Sequence, residues 1–600
     1  LLRNAQVTNP NWTIDSVFID GGASTDWQDA IYRTGIAYTN TLSFSGGNQH
    51  NSYIASITNS NWQGTMKGTG KDLTTARISA TQKAINDRLT LQANLMGAFE
   101  KNDYENYNGW GQDDIIYQAI SRNPTDPVYD SAGNYYQSNR VFNYENPLAV
   151  IEQVTNNRNA KRFLGSLKAD FEIISGLVAS VNLGYTHDDN TYNYFRPANI
   201  YATADNGAGR KSYNAVKQKL MEITGTYNKT FSKKHNLNAL LGYSWQESVN
   251  NGFWAGGRDA QSNYAGPENL QVLNDMKQWG DVGSYKGEWT LIGFFGRVQY
   301  NYKSKYFVSG SLRRDGSSKF GENNKWGWFP TAAIGWSLDQ EKFLNDLSWL
   351  NQLKLRASYG VSGNQEIGEY RSLLLYQPSG KAINPETGKE VVTFSPAWNA
   401  NPDLKWEQTS EYNVGVDFGF FNSRLSGSLE FYYKVTDDLL GQYNVPVPPN
   451  LARTTFANSG SMSNTGVELF VQAYPVSLKK FTWKTALTAS HNKTEVLDLG
   501  EYFNEKDGVR KEGYISGRGM VGDQNYVTGI MVGEEIGSFY LPTYVTMQDG
   551  KFIYRSKNGG YTESVADAER TVIATAAPKV ELGWSNFLTY GKHWTLDFAF

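Results

Sequence analysis

Residues Leu291–Gly363 read LIGFFGRVQYNYKSKYFVSGSLRRDGSSKFGENNKWGWFPTAAIGWSLDQEKFLNDLSWLNQLKLRASYGVSG. Four segments in this stretch alternate with period two, the signature of a strand with one apolar face. In the first, Ile292, Phe294, Val298, Tyr300 and Tyr302 share a face, and Arg297, Gln299 and Asn301 share the other. The pattern resumes after Lys303-Ser304-Lys305, with Tyr306, Val308 and Leu312 set against Ser309, Ser311 and Arg313. It continues in Ala332, Ile334, Trp336 and Leu338, then in Leu353, Leu355, Ala357 and Tyr359 against Lys354, Arg356 and Ser358. Successive side chains on a strand point to opposite faces, so each segment is greasy on one side and polar on the other.

The same pattern fills the chain. About eighteen alternating segments of roughly ten residues run from 37–46 to 593–600, the length a tilted membrane-crossing strand needs. Their connections alternate strictly between short and long, and one of them, 339–350, is longer than its rim companions. Gly46–His50, Lys83–Asp87, Ser232–Lys234, Lys303-Ser304 and Gly591-Lys592 are short, whereas 100–160, 189–215, 248–289, 362–410, 435–463 and 492–579 are long. In an up-and-down sheet alternate connections lie on opposite rims, so this parity predicts tight turns at one rim and large loops at the other. Aromatic residues flank the short turns: Tyr302 and Tyr306, Tyr590 and Trp594, and Phe420-Phe421. Such a girdle suits a membrane interface. The connection 339–350 carries Phe343, Leu344, Leu347 and Leu350 at helical spacing behind Asp339, which predicts a short capped helix. Leu89, Leu91, Ala93, Leu95 and Phe99 exemplify the outward faces, and no Lys or Arg is read at mid-bilayer on them. Asn586, between Trp584 and Leu588, is the polar exception.

Composition is compatible with this reading. The 600 residues are 40% hydrophobic with a mean hydropathy of -0.53, and contain no apolar run long enough for a membrane-spanning helix. Barrel strands alternate and so average out as polar. The 38 Tyr and 17 Trp suit interfacial belts or stacking on ligands. The absence of cysteine excludes disulfides and thiolate metal sites. A net charge of -3 without a clustered basic excess argues against nucleic acid as a partner. The opening LLRNAQVTNP and the closing WTLDFAF read as interior to a longer chain.

Arg313–Phe343 (RRDGSSKFGENNKWGWFPTAAIGWSLDQEKF) followed by Leu353–Gln365 (LKLRASYGVSGNQ) resembles the barrel of SusC-like (SusC/RagA type) TonB-dependent outer-membrane transporters of Bacteroidota. STDWQDAIYRTG (Ser24–Gly35), NPDLKWEQTSEYNVGVDF (Asn401–Phe418), NSGSMSNTGVEL (Asn458–Leu469) and VGEEIGSFY (Val532–Tyr540) extend the likeness along the chain. The resemblance implies a transmembrane antiparallel up-and-down β-barrel of 22 strands around a plug, with long loops outside the cell and short turns in the periplasm. Residues 1–36 are then an outer loop following the plug and first strand. Residues 37–600 are the barrel, with about three more strands expected beyond Phe600. The resemblance further implies import driven by TonB through a segment outside this sequence, a SusD-like lipoprotein as lid, glycans or peptides as cargo, and a dimer of transporter–lipoprotein pairs. Many relatives carry a D-x-N-x-D-G stretch before the eighteenth strand. Here Lys557–Pro578 lacks those spaced oxygens, so no calcium site is carried over.

Candidate chemistry is otherwise sparse. Ser516–Gly522 matches G-x-G-x-x-G without a strand before it or a helix after it, so it reads as loop. The five histidines lack metal-ligand spacing. Asp437-Asp438 and Glu534-Glu535 read as solvated acids, and no nucleophile elbow occurs. No enzymatic activity, cofactor or metal is expected. The long loops do carry aromatic rings beside amides and acids, a combination suited to sugars or peptides. The candidate contacts are Tyr107, Trp110, Tyr194, Trp254, Trp279 and Trp398, and the competing reading is that these rings pack the loops. Alternatives to an importer are a passive porin and a non-transporting surface adhesion or assembly component.

Overall fold

The computed structural model describes residues 20–105, 114–137, 145–200, 206–264, 266–276, 280–344, 346–503, 505, 507–515 and 525–600. Among them are eighteen long strands, each overlapping one segment read from the alternation. They are β1 Ala37–Gly47, β2 Asn51–Gln63, β3 Gly70–Ala84, β4 Leu89–Asp103, β5 Thr155–Ile174, β6 Leu177–Arg196, β7 Ala208–Phe231, β8 His235–Ala260 and β9 Val282–Tyr302. The series continues with β10 Tyr306–Ser317, β11 Trp326–Ser337, β12 Leu350–Asn364, β13 Glu407–Phe420, β14 Leu425–Asp437, β15 Ser461–Ser477, β16 Phe481–Asp498, β17 Glu581–Tyr590 and β18 Trp594–Ala599.

The chain divides into two compact units, Leu1–Ile173 with Ser180–Ile223 and Gln246–Trp289, and Ile174–Ala179 with Thr224–Trp245 and Thr290–Phe600. In the first, β1 to β5 form a continuous antiparallel ladder in chain order. Three short helices, α1 Trp27–Ile31, α2 Ile115–Ser121 and α3 Pro147–Gln153, pack around buried Trp27, Ile31, Ile115 and Val150. Each has a side-chain cap: Asp26, Asp114 and Asn146 accept from first-turn amides. In the second unit, β9 to β18 pair antiparallel in chain order.

On β10 exposure alternates as polarity does. Tyr306, Val308, Leu312 and Arg314 are exposed while the odd-numbered neighbours are at least partly covered. Leu42, Leu241, Ile334, Leu582 and Trp594 are all more than 60% exposed. So many large apolar side chains without protein cover mark faces meant for a non-aqueous solvent. At the tight-turn end the rings form a belt. Tyr302 stacks on Tyr306 at 6.5 Å and Tyr306 on Trp336 at 6.4 Å, cross-strand neighbours in one row. Lys303 and Ser304 reverse the chain with φ of 55° and 52°, the hand that matches strand twist.

Four expectations are amended. First, the alternation of connection lengths is not strict: 64–69 and 318–325 are short although they fall among the long connections, whereas 338–349 is long among the tight turns, as read from the sequence. Second, β7 has 24 residues and β8 has 26, far more than a bilayer needs, so part of each expected loop is strand. Third, no α-helix forms among the described residues of 339–350. A 3-10 turn, Leu338–Gln340, stands there, and the Asp339 carboxylate accepts from the Leu353 amide at 3.1 Å rather than capping a helix. Fourth, Asn586 is buried at 3% exposure, and its carbonyl accepts from the Trp483 indole at 3.0 Å. The adjoining Thr485 hydroxyl accepts from the Trp584 indole at 2.9 Å. The Asn586 carbonyl and the Thr485 hydroxyl on this apolar face are thus each capped by a tryptophan N–H, while the Asn586 amide nitrogen has no partner.

Candidate functional site

In the second unit the loops at the long-connection ends of the strands are folded, not loose. Phe320, Leu404 and Trp406 are almost fully buried, with Phe329 and Phe456 beside them. Trp406 packs against Phe320 at 4.9 Å and edge-on to Phe329 at 5.3 Å, and its indole donates to the Lys325 carbonyl at 3.1 Å. Two asparagines join the 365–406 loop to the 438–460 loop. Asn399 donates to the carbonyls of Ala452 and Thr454 and accepts from the amides of Leu451 and Ala452. Asn458 donates to the carbonyls of Lys405 and Asp438 and accepts from the Lys405 amide. A side-chain amide that satisfies backbone groups of a neighbouring loop replaces the ladder those segments lack.

On this base lies a cleft of about 520 Å³ lined by Asn399, Asn401, Asn444, Asn450, Glu501 and Tyr502. Asn399, Asn401 and Asn450 are committed to backbone carbonyls. Asn444 and Glu501 are exposed. Tyr502 stacks on Tyr443 at 5.2 Å. Burial pushes both phenols above the usual tyrosine range, so they stay neutral donors. An aromatic plate beside an exposed acid and amide can take a hydroxyl- or amide-rich ligand.

The polar face of the strands carries a second feature. Arg356 makes bidentate bonds of 3.0 Å to Asp417 and reaches Glu430 at 2.8 Å. Its guanidinium crosses Gly415, where a Cβ would sit 3.0 Å from the Arg356 Cζ. A cavity of about 610 Å³ lies against this wall, with Asn236, Asn301, Lys354, Arg356 and Asn413 among its lining.

In the first unit, the loop joining β4 and β5 buries charge. Arg122 and Asp126, both nearly inaccessible, approach to 3.9 Å, and the Arg122 guanidinium lies 4.8 Å from the Trp27 ring. Glu105 is buried against Gly68, and burial, helped by the Asp103 charge, pushes its carboxyl up to about 8.

The aromatics singled out from sequence have separate settings. Tyr107, Trp110, Trp279 and the stretch Ser516–Gly522 lie outside the described residues. Tyr194 and Trp254 stand on the extended ends of β6 and β8 instead of in loops. Tyr194 is half-buried between buried Asn193 and Phe195. The Trp254 indole donates to the Gly280 carbonyl at 2.8 Å, and its ring covers Gly283. Trp398 donates to the Leu373 carbonyl at 2.9 Å and shares Arg371 with Phe456, the guanidinium being 4.3 and 4.7 Å from the two rings. Tyr502, Asn444 and Glu501 were not among the residues singled out. The run of turn residues Val447–Asn450 marks the loop of Asn444 only, and Glu501 and Tyr502 lie in the separate connection after β16. Asp438 pairs with Lys405 at 2.7 Å, and among the described residues no group of three or more His, Asp or Glu side chains could hold a metal.

The family described as "TonB dependent receptor-like, beta-barrel" matches residues 103–527. The chain is similar to TonB-dependent receptor P39 of Formosa agariphila, with 30% identity over 98% of this chain and 58% of that one. It is similar to TonB-dependent receptor SusC of Bacteroides thetaiotaomicron at 28%, covering 97% and 58%. It thus spans little more than half the length of these relatives. Among solved structures, the RagAB peptide importer in its closed-closed state superposes with a TM-score of 0.81 at 24% identity, over 97% of this chain and 63% of that one.

Proposed function

Because the chain belongs to the TonB-dependent receptor-like β-barrel family, in its SusC-like branch, and so to the bacterial outer membrane, we propose that it forms the wall and outer loops of an active importer of oligomeric nutrients. Glycans or peptides are captured at the loop end, a SusD-like surface lipoprotein closes over them, and TonB drives passage. A dimer of transporter–lipoprotein pairs is the assembly we favour, and transport rather than catalysis is its activity. The observation that carries this reading is the cleft of Asn444, Glu501 and Tyr502. It rests on loops cross-braced by Asn399 and Asn458, at the ends of strands whose outer face is apolar and whose other face bears Arg356, Asp417 and Glu430. A passive pore needs no such built loop floor. RagAB is described as a peptide importer, and the stacked Tyr443–Tyr502 pair offers a surface for either class of oligomer.

The test is uptake of labelled oligosaccharide and peptide mixtures by cells carrying the full-length protein. Uptake should vanish when TonB is deleted and fall when the lipoprotein partner is removed. Import that persists without TonB would show a passive pore instead.

A further inference from the structure

Adjacent arginines on β10 have opposite surroundings. Arg313 points to the polar face, where it donates to Asp315 at 2.6 Å and to Ser244 at 3.1 Å. Arg314 is exposed on the apolar face. Its guanidinium lies 5.0 Å from the Trp326 ring and 4.9 Å from the Trp328 ring, and no ion pair joins it to a carboxylate among the described residues. Phe294, Arg314 and Trp328 are direct cross-strand partners, so they form one row across β9, β10 and β11. Phe294 stacks on Trp326 at 6.2 Å and meets Tyr243 at 5.3 Å, which widens the row into a belt. Gly316 makes room for it: a Cβ there would stand 2.8 Å from the Trp326 ring.

The height of this row follows from the register. The opposite belt, Tyr302–Tyr306–Trp336, sits at the tight-turn end, and Arg314 lies eight residues along β10 from Tyr306. At about 3.4 Å per residue and a tilt of about 40°, the rows stand roughly 20 Å apart along the membrane normal. That is near the height of the apolar band of a membrane barrel, about 25 Å. The rows between them are apolar or glycine: Tyr300–Val308–Ile334, Val298–Gly310–Ala332 and Gly296–Leu312–Pro330. Arg314 therefore stands at the interface on the long-loop side, where lipid headgroups begin. A guanidinium set over two indoles keeps N–H groups free for a tetrahedral oxyanion.

We propose that Arg314, framed by Trp326 and Trp328, holds the phosphate of an outer-leaflet lipid headgroup on the outside of the wall. The occupant is a lipid because the site opens onto the apolar face at headgroup depth, with exposed apolar rows beneath it to take the acyl chains.

The test uses the full-length protein in nanodiscs of phosphatidylcholine doped with about one tenth phosphatidic acid or, in parallel, diacylglycerol. Native mass spectrometry counts the lipid that stays bound. The wild type should retain phosphatidic acid about fivefold over diacylglycerol, the discrimination one interfacial arginine supplies. R314Q should lose that preference, and R314K should keep part of it, since an ammonium carries the charge without the planar stack. Heat-modified gel mobility reports separately that each variant is folded. Equal retention of the two lipids by the wild type, or an unchanged preference in R314Q, overturns the proposal. Release of bound lipid by millimolar inorganic phosphate would mean a site for the free anion and would equally defeat it. No transport is measured, so this result and the import reading stand or fall separately.

Discussion

The phenol of Tyr306, the first residue of β10, donates to the carboxylate of Glu341 at 2.7 Å, across the one long connection at the tight-turn end. Lys305 donates to the same carboxylate at 2.9 Å, and the Trp336 indole donates to it at 3.0 Å. These three donors, Tyr306 foremost, hold the Glu341 carboxyl down at about 2. A depressed acid stabilises the fold above its unfolded value and loses that contribution as pH falls through the folded one. The 338–349 segment should thus stay ordered down to about pH 4 and loosen towards pH 2. Glu341→Gln should bring the loosening to neutral pH, read as several-fold faster amide exchange at Leu344, Leu347 and Leu350, whose amides are bonded within this turn. Unchanged exchange in the variant would assign the order of the turn to Asp339 alone.

Glu105 titrates with the opposite sign. Its folded value, raised by burial to about 8, lies above the unfolded value. The neutral carboxyl is therefore stabilising below about pH 4.5, and that contribution fades as pH climbs through 8. Glu105→Gln keeps the shape and removes the ionisation. The variant should protect the 64–69 turn and the α2 segment from protease at pH 9 better than the wild type, and equally at pH 5. A wild type with the same cleavage rate at both values would disprove a buried acid here.

Trp483 and Asn586 make a double-mutant cycle possible on the lipid side. Trp483→Phe leaves the Asn586 carbonyl without its donor in an apolar setting, and the Asn586 amide nitrogen already has no partner. The single change should cost about 1–3 kcal/mol. Adding Asn586→Leu removes the orphaned group, so the double variant should recover most of that loss in urea unfolding from lipid vesicles. Additive losses would show that the indole bond contributes nothing.

The strands were legible because lipid and water lie on opposite sides of them. Period-two alternation needs no partner strand to be seen, and β1 to β18 all follow it. Beyond the bilayer both faces meet polar groups, the alternation stops, and the outer ends of β7 and β8 read as loop. Local helical spacing at 343–350 was overruled by distant partners, Lys305, Tyr306 and Leu353, which claim Glu341 and Asp339. The cleft was invisible for the same reason. It exists only once Asn399 is bonded to Ala452 and Thr454, a pairing of two loops about fifty residues apart that no window of sequence displays. Aromatic content drew attention to Trp398 and Trp254, yet both indoles are bonded to loop or strand carbonyls.

That difference separates two kinds of aromatic residue in the loops. Trp398 packs edge-on to Phe456 at 5.5 Å and holds Arg371, so Trp398→Ala removes a strut. It should destabilise the 365–406 loop by about 1–3 kcal/mol and lower uptake only as far as the loop unfolds. Tyr502 lines the cleft and touches Tyr443, while the inter-loop bonds of Asn399 and Asn458 do not involve it. Tyr502→Ala should leave the loops protected from protease and weaken oligomer capture by about two- to tenfold, the range of one aromatic contact. Binding to the full-length protein by calorimetry, run beside limited proteolysis, separates the cases. If Tyr502→Ala loses loop protection in proportion to binding, the cleft is a structural joint and capture happens elsewhere on the loops. If Trp398→Ala loses binding while its loop stays protected, that indole belongs to the ligand surface.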